Sequence, residues 1–309
     1  MRKAIMNSIF WVVLLSVPLV VGVANADIKE GLVAHWTFDE SSGANASDSS
    51  GNGYDGTLVN LGDTNWVEGK VGNALDFEGS DAYVEVGDVG EYSNISITLW
   101  VNIDSLPVEF NSIFHHNDWT SGYLHFMIRA SGVVQFSVNA TSPTDQQSSY
   151  TFTSSDFGAW KHIGAVYDST AESVTFYIDG QEDSVVSYST VRTAIPGPMQ
   201  IGNWNNGVRN FDGRMDDLRI YGRALSEEEM LELYNWTGGA DAGPDQIVEA
   251  GDPVTPGGSG PDDATSFSWE QVIIADEPVV TLVNPNSATC TFDSPARDIG
   301  YILTFRLTV

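Results

Sequence analysis

Cysteine, positive charge and long apolar runs are all scarce in this chain of 309 residues. The single cysteine, Cys290, excludes an intrachain disulfide, so an exported domain of this kind has to rest on a large core or on bound metal. It stands in the strand-like run Ser-Ala-Thr-Cys-Thr-Phe and reads as a small packed residue rather than a reactive thiol. Lys and Arg number 13 against 42 Asp and Glu, a formal net charge of −29. Such a surface repels nucleic acid and anionic lipid, and neither is an expected partner. The one extended apolar run, Ile9 to Val23, contains Pro18 and is shorter than the roughly 20 residues that cross a bilayer. With Arg2 and Lys3 before it and Ala24-Asn25-Ala26 after it, residues 1–26 read as a cleaved secretory signal. The expected address is therefore secreted or cell surface, with no membrane insertion after cleavage. Removing Arg2 and Lys3 leaves 11 basic residues against 42 acidic ones.

Catalytic signatures are missing as well. The chain has no nucleophilic serine elbow, no cysteine–histidine pairing candidate and no phosphate-cradling glycine loop. Asp76 and Glu78 begin an alternating run of acids such as a glycosidase strand would need, but Ser80 stands where the third acid belongs. The expectation is a non-catalytic chain.

Aromatics are plentiful, with nine Trp, eleven Tyr and fourteen Phe. From Gly31 to Tyr221 apolar and polar residues alternate in twos between clusters of Gly, Asn, Asp and Ser, the pattern of many short strands. This predicts an all-β chain, a jelly-roll β-sandwich. Asp179-Gly180 predicts a tight hairpin turn. One helix is predicted, Ser226 to Tyr234, with Ser226 and Glu229 as a capping box and Leu225 and Met230 as a hydrophobic staple. Its expected role is to close one edge of the sandwich. The pattern breaks at 237–241, read as a linker, and residues 242–309 begin a second β module. The chain stops inside a strand pattern, which predicts a continuing polypeptide with further domains.

The residues 210–229, Asn-Phe-Asp-Gly-Arg-Met-Asp-Asp-Leu-Arg-Ile-Tyr-Gly-Arg-Ala-Leu-Ser-Glu-Glu-Glu, place carboxylates on an apolar strand. Simple alternation puts Asp216 on the inward face with Leu218 and Ile220, where it requires a cation or several donors.

Gly31-Leu-Val-Ala-His-Trp-Thr-Phe-Asp-Glu, Asp48-Ser-Ser-Gly-Asn-Gly-Tyr-Asp-Gly-Thr-Leu and Gly69-Lys-Val-Gly-Asn-Ala-Leu-Asp-Phe-Glu-Gly are followed by Trp160-Lys-His-Ile-Gly-Ala-Val-Tyr-Asp, Phe176-Tyr-Ile-Asp-Gly and the strand from Asp216. In this order they make residues 27–236 resemble a laminin G-like jelly roll of the concanavalin A-like lectin/glucanase superfamily. Ala242-Gly-Pro-Asp-Gln, Gly258-Ser-Gly and Ser268-Trp269 resemble an immunoglobulin-like module of the PKD type, incomplete in this chain.

Two candidate sites follow. Glu40, Asp48, Asn52 and Asp216 form an oxygen-only set suited to structural calcium, with Asp39 or Asp217 able to replace a member. The resemblance implies calcium near the same segments. The alternative is an ordinary turn at Asp48 and a hydrogen-bonded strand end at Asp216. For a carbohydrate or surface glycoconjugate, the candidates are Trp119, Asn203 and Trp204, from the polar loops His115-His116-Asn117-Asp118-Trp119 and Asn203-Trp204-Asn205-Asn206, with Tyr123 and His125 on the strand face opposite Leu124, Phe126 and Ile128. The alternative for the tryptophans is packing under a loop. The resemblance implies a calcium-stabilised recognition module, with a structural or adhesive module, or an accessory domain of a polysaccharide-degrading enzyme, as the other readings.

Overall fold

A computed structural model describes residues 28–204, 208–236, 253–255, 268–272, 278–287, 289–293 and 303–308. The expected signal, the 237–241 linker, and Asn205 and Asn206 of the second loop lie outside the described residues. The first eight strands are β1 (Leu32–Trp36), β2 (Asn45–Ala46), β3 (Gly56–Val59), β4 (Trp66–Glu68), β5 (Asn73–Asp76), β6 (Tyr83–Val86), β7 (Ile95–Ser105) and β8 (Phe110–His116). The next eight are β9 (Leu124–Arg129), β10 (Val133–Val138), β11 (Asp145–Thr151), β12 (Trp160–Asp168), β13 (Ser173–Ile178), β14 (Gln181–Ser187), β15 (Met199–Ile201) and β16 (Asp212–Tyr221). They form two eight-stranded antiparallel sheets. The first runs β14-β13-β12-β7-β16-β5-β4, with β1 also on β16; the second runs β11-β10-β9-β8-β15-β6-β3-β2.

The two inner faces are built by the alternation seen in the sequence. Ile95, Ile97, Leu99, Val101 and Ile103 of β7 face Leu124, Phe126 and Ile128 of β9 and Val134, Phe136 and Val138 of β10 within one buried core. Phe126 packs edge-on against Phe114 and Phe136, with centroids 6.2 and 5.7 Å apart. Each such side chain contributes roughly 1.5–3 kcal/mol when fully buried, so the sandwich has an apolar source of stability in place of disulfides.

Alternation fails at one point, and the Asp216 expectation fails with it. Met215, Leu218 and Ile220 all enter the core, a spacing of three and then two. The pairing of β16 with β7 shifts register between Asp216 and Arg219, and Asp217 sits at φ 53°. The same point marks a change of neighbour on the other edge of β16. Arg214 and Met215 pair with β5, whereas Leu218 to Tyr221 pair with β1. A bulge inserts an extra residue and reverses the parity of everything before it. Asp216 is consequently out of phase with Leu218 and does not share its face.

The helix α1 (Glu227–Asn235) forms as its capping box requires. Ser226 Oγ accepts from the Glu229 N–H at 3.3 Å, and the Ser226 N–H donates to Glu229 Oε2 at 2.7 Å. Met230 and Leu233 bury with Val166, Tyr177, Tyr221 and Leu225. The helix thus covers an outer face of the first sheet, over β12, β13 and β16, and also lies against the edge strand β14. In the tail, β17 (Pro253–Val254) pairs with β19 (Phe292–Asp293), and β18 (Ser268–Val272) pairs with β20 (Thr304–Thr308). Cys290 is buried there, as are Trp269 and Phe292.

Candidate functional site

The outer face of the second sheet carries a polar row that crosses every strand. Register places Asn45 against Thr57, Thr57 against Glu85, Glu85 against Gln200, and Gln200 against His115. His115 then pairs with His125, His125 with Ser137, and Ser137 with Asp145. Side chains on one cross-strand row share a face, so eight consecutive strands present hydrogen-bonding groups side by side. Asn45, Thr57, Glu85 and Asp145 are exposed, whereas His115, His125 and Ser137 are buried.

The buried stretch is roofed by the two loops that the sequence singled out. Trp119 lies 4.2 Å from His125 between ring centroids, and Trp204 lies 5.2 Å from it. Trp204 also stacks on His115 at 5.9 Å and is held by its indole N–H, which donates to the His116 carbonyl at 2.9 Å. Three of the five predicted contact residues, Trp119, His125 and Trp204, therefore meet in one cluster. Tyr123 stacks on His116 at 3.5 Å, beside that cluster. Asn203 differs from expectation. It is fully buried, its Oδ1 accepts from the Trp204 N–H at 2.7 Å, and its amide reaches the Ser80 carbonyl at 3.5 Å, so it orients Trp204 and is not available as a contact.

Arg209 escaped the sequence reading, although its rarity in so acidic a chain was a signal. Its guanidinium lies over Trp204 at 4.4 Å and over Phe110 at 4.5 Å. Nη1 sits 3.1 Å from His115 Nε2 and 3.4 Å from His125 Nδ1. Burial first, and then the Arg209 charge, hold His125 down to about 3. Burial, with His125 and Arg209 beside it, puts His115 well below the usual histidine value. Both imidazoles are neutral at ordinary pH and face a fixed cation. His115 and His116, expected in a polar loop, belong to β8 instead, and His115 faces the row.

The four expected calcium ligands are engaged unequally. Asp48 Oδ1 accepts from the N–H groups of His35 and Ser50, and Oδ2 from the Tyr54 N–H and the Ser50 hydroxyl. Burial raises its pKa, but these donors more than offset that and the net shift is downward. The Asn52 amide donates to the Leu32 and Val33 carbonyls at 3.2 and 2.9 Å. Glu40 Oε1 takes the Ser47 N–H at 2.6 Å. Asp216 Oδ2 accepts from the Lys70 and Val71 N–H groups at 2.7 and 2.9 Å, and burial pushes this carboxyl up to about 8. Asp48 and Asn52 are thus engaged by their own turn, whereas Asp216 Oδ1 and Glu40 Oε2 are buried with no hydrogen-bond partner among the described residues. Among the described residues no three His, Cys, Asp or Glu side chains gather as a metal-holding group.

Asp216 instead stitches the β4–β5 turn. A Cβ at Gly69 would stand 2.6 Å from Asp216 Oδ2, and one at Gly72 would stand 1.9 Å from Asp39 Oδ1, so both acids approach where only glycine leaves room. The first and last strands are tied by Asp217, whose Oδ1 lies 2.5 Å from His35 Nε2 and 3.0 Å from Arg219 Nη2. The broken glycosidase pattern has a structural role too. Asp76 pairs with Arg214 at 3.4 Å, and Glu78 turns out of the strand at φ 53°.

Residues 78–230 match the laminin G-like model of the Concanavalin A-like lectin/glucanases superfamily. A stretch of 82 residues is 30% identical to usherin of Mus musculus and covers 25% of this chain but 2% of that protein. Among solved structures, the binding domain of botulinum neurotoxin serotype G is similar, with a TM-score of 0.51, 16% identity, and coverage of 66% of this chain and 50% of that one. Domain 4 of an extracellular arabinanase from Geobacillus stearothermophilus, solved with arabinotriose, gives a TM-score of 0.49, 22% identity, and coverage of 66% of this chain and 98% of that one. No helix among the described residues is long and apolar enough to cross a membrane.

Proposed function

Starting from a laminin G-like domain of the concanavalin A-like lectin/glucanase superfamily, we propose that this chain is an exported, non-catalytic recognition module for a carbohydrate or surface glycoconjugate. The shared fold does not by itself choose a ligand. The observation that carries the reading is the polar row of the second sheet with Trp119 and Trp204 standing over its buried part. A sugar has one face of C–H groups and a rim of hydroxyls. Indole rings offer the first a surface rich in dispersion contacts, and the row offers the second alternate donors and acceptors. A few convergent polar groups beside aromatic walls are the usual chemistry of a small-molecule site. Export rests on the N-terminal signal pattern and the acidic balance.

A glycan array tests this on the purified chain. The wild type binds at least one glycan, and Trp119→Ala or Trp204→Ala weakens that binding tenfold or more, about 1.4 kcal/mol, with an unchanged thermal melt. An array with no bound glycan would contradict the reading and leave the structural module.

A further inference from the structure

Deepening the proposed sugar-binding reading, on which it rests, we infer that Arg209 recognises an anionic oxygen group, a carboxylate or a sulfate, on the bound saccharide. Among the described residues Arg209 pairs with no carboxylate, in a chain with 42 acidic residues. The groups its guanidinium touches are the faces of Trp204 and Phe110 and two imidazoles. Only Nη1 is spoken for. Nε and Nη2 have no hydrogen-bond partner among the described residues, and these two N–H groups lie along one edge of the guanidinium plane. That edge is the fork that takes two oxygens of one carboxylate or sulfate.

A second cation strengthens the local field. Arg129 lies over the same Phe110 ring at 4.7 Å, so the ring is contacted by both guanidinium groups. Arg129 is compensated, by Glu109 and by Gln135 Oε1 at 2.8 Å. Arg209 has no carboxylate in contact among the described residues. Burial, together with Arg129, makes its charge less favourable, and Asp145 offsets this in part. An anion delivered by the ligand would supply the missing counter-charge beside Trp204, the surface proposed to take the sugar ring.

The acidity of the whole chain does not cancel this. At physiological salt, charges more than about 8 Å away are largely screened, and a partly buried guanidinium is screened least. The device thus suits a short acidic saccharide, with its charge on the sugar that stacks on Trp204.

Matched probes separate this inference from the reading beneath it. Oligogalacturonate is titrated against the same oligomer with its carboxylates methyl-esterified, and a sulfated galactan oligomer against its desulfated form. The first pair reads carboxylate and the second sulfate. The acidic member of at least one pair is expected to bind ten times or more tighter than its neutral partner, and Arg209→Gln to erase the preference. Arg209→Lys keeps the charge and the packing stem but lacks the fork, and is expected to lose most of the preference in a chain with an unchanged melt. Neutral members that bind as tightly as acidic ones, lose binding on Trp204→Ala and ignore Arg209→Gln would overturn the inference and leave the sugar site standing. Binding to no member of either pair, with neutral glycans bound on the array, would likewise overturn it. No glycan bound anywhere would remove both.

Discussion

His35, Asp217 and Arg219 form a buried triad in which Asp217 alone among the described residues forms an ion pair with the guanidinium. Asp217 is 6% exposed and the Arg219 side chain 4%. Removing the only counter-ion of a buried cation is among the most destabilising single changes, about 3–5 kcal/mol. Asp217→Asn is expected to lower the urea midpoint accordingly at pH 7; a midpoint within experimental error of wild type would show that Arg219 reaches water. The same pair sets an acid limb. Burial pushes Asp217 up, but Arg219 and His35 more than offset this and hold it at about 2. Its unfolded value is about 3.9, so its contribution of roughly 2–3 kcal/mol is present above pH 4 and lost as pH falls through 2. Asp216 has the opposite sign. With its folded pKa raised to about 8, the native state keeps a proton that the unfolded chain releases, and this residue's contribution declines from pH 4 to pH 8. Asp216→Asn is expected to raise the melting temperature relative to wild type at pH 8 and less so at pH 5. A variant that melts lower at both values, with a wild type that melts lower in EDTA, would identify Asp216 as a calcium-bound carboxylate instead.

Individual elements differ in how plainly they were written. Strands β7, β9, β10, β12 and β13 were legible because one face of each enters the core and the other does not, or does so with polar residues. The β13–β14 turn was legible because Asp179 and Gly180 both take positive φ, 49° and 74°, as a two-residue hairpin turn demands. Strand β11, Asp145-Gln-Gln-Ser-Ser-Tyr-Thr, was not: it lies on an edge and places almost no apolar residue in the core. The end of β8 was read as loop because its two histidines carry no apolar alternation. The bulge at Asp216–Asp217 was hidden for a different reason, since one added residue leaves the composition unchanged while reversing which side chains point inward. At the candidate site, Trp119, His125 and Trp204 could be chosen by chemistry, but their union with Arg209 depends on long-range pairing that no local pattern encodes. The helix was legible to within one residue at each end. Ser226→Ala should cost about 1 kcal/mol through the lost cap. Glu229→Ala should cost more, because Glu229 also grips Arg223 at 2.6 and 2.9 Å. Thermal melts that rank the two the other way would place the stabilisation in the cap alone.

For the molecule as a whole, the two sheets divide the labour. The first is sealed on its outer side by α1, by the β4–β5 turn on Asp216 and by the His35–Asp217–Arg219 triad, and both of its faces are spent on stability. The second leaves its outer row open at Asn45, Thr57, Glu85 and Asp145 and roofs it with aromatics over β8 and β9. A net charge of −29 opposes compaction, so raising sodium chloride from low to physiological levels is expected to raise the melting temperature. A lower melt in salt would mean that attractive ion pairs outweigh the repulsion. The placement of the ligand is what joins the fold to the proposed role, and hydrogen–deuterium exchange with a bound glycan reads it directly. Slowed exchange is expected in β8 to β10, in residues 117–123 and in residues 203–210, with β12, β13 and α1 unchanged. Protection confined to the first sheet or to α1 would contradict the assignment of the polar row as the binding face.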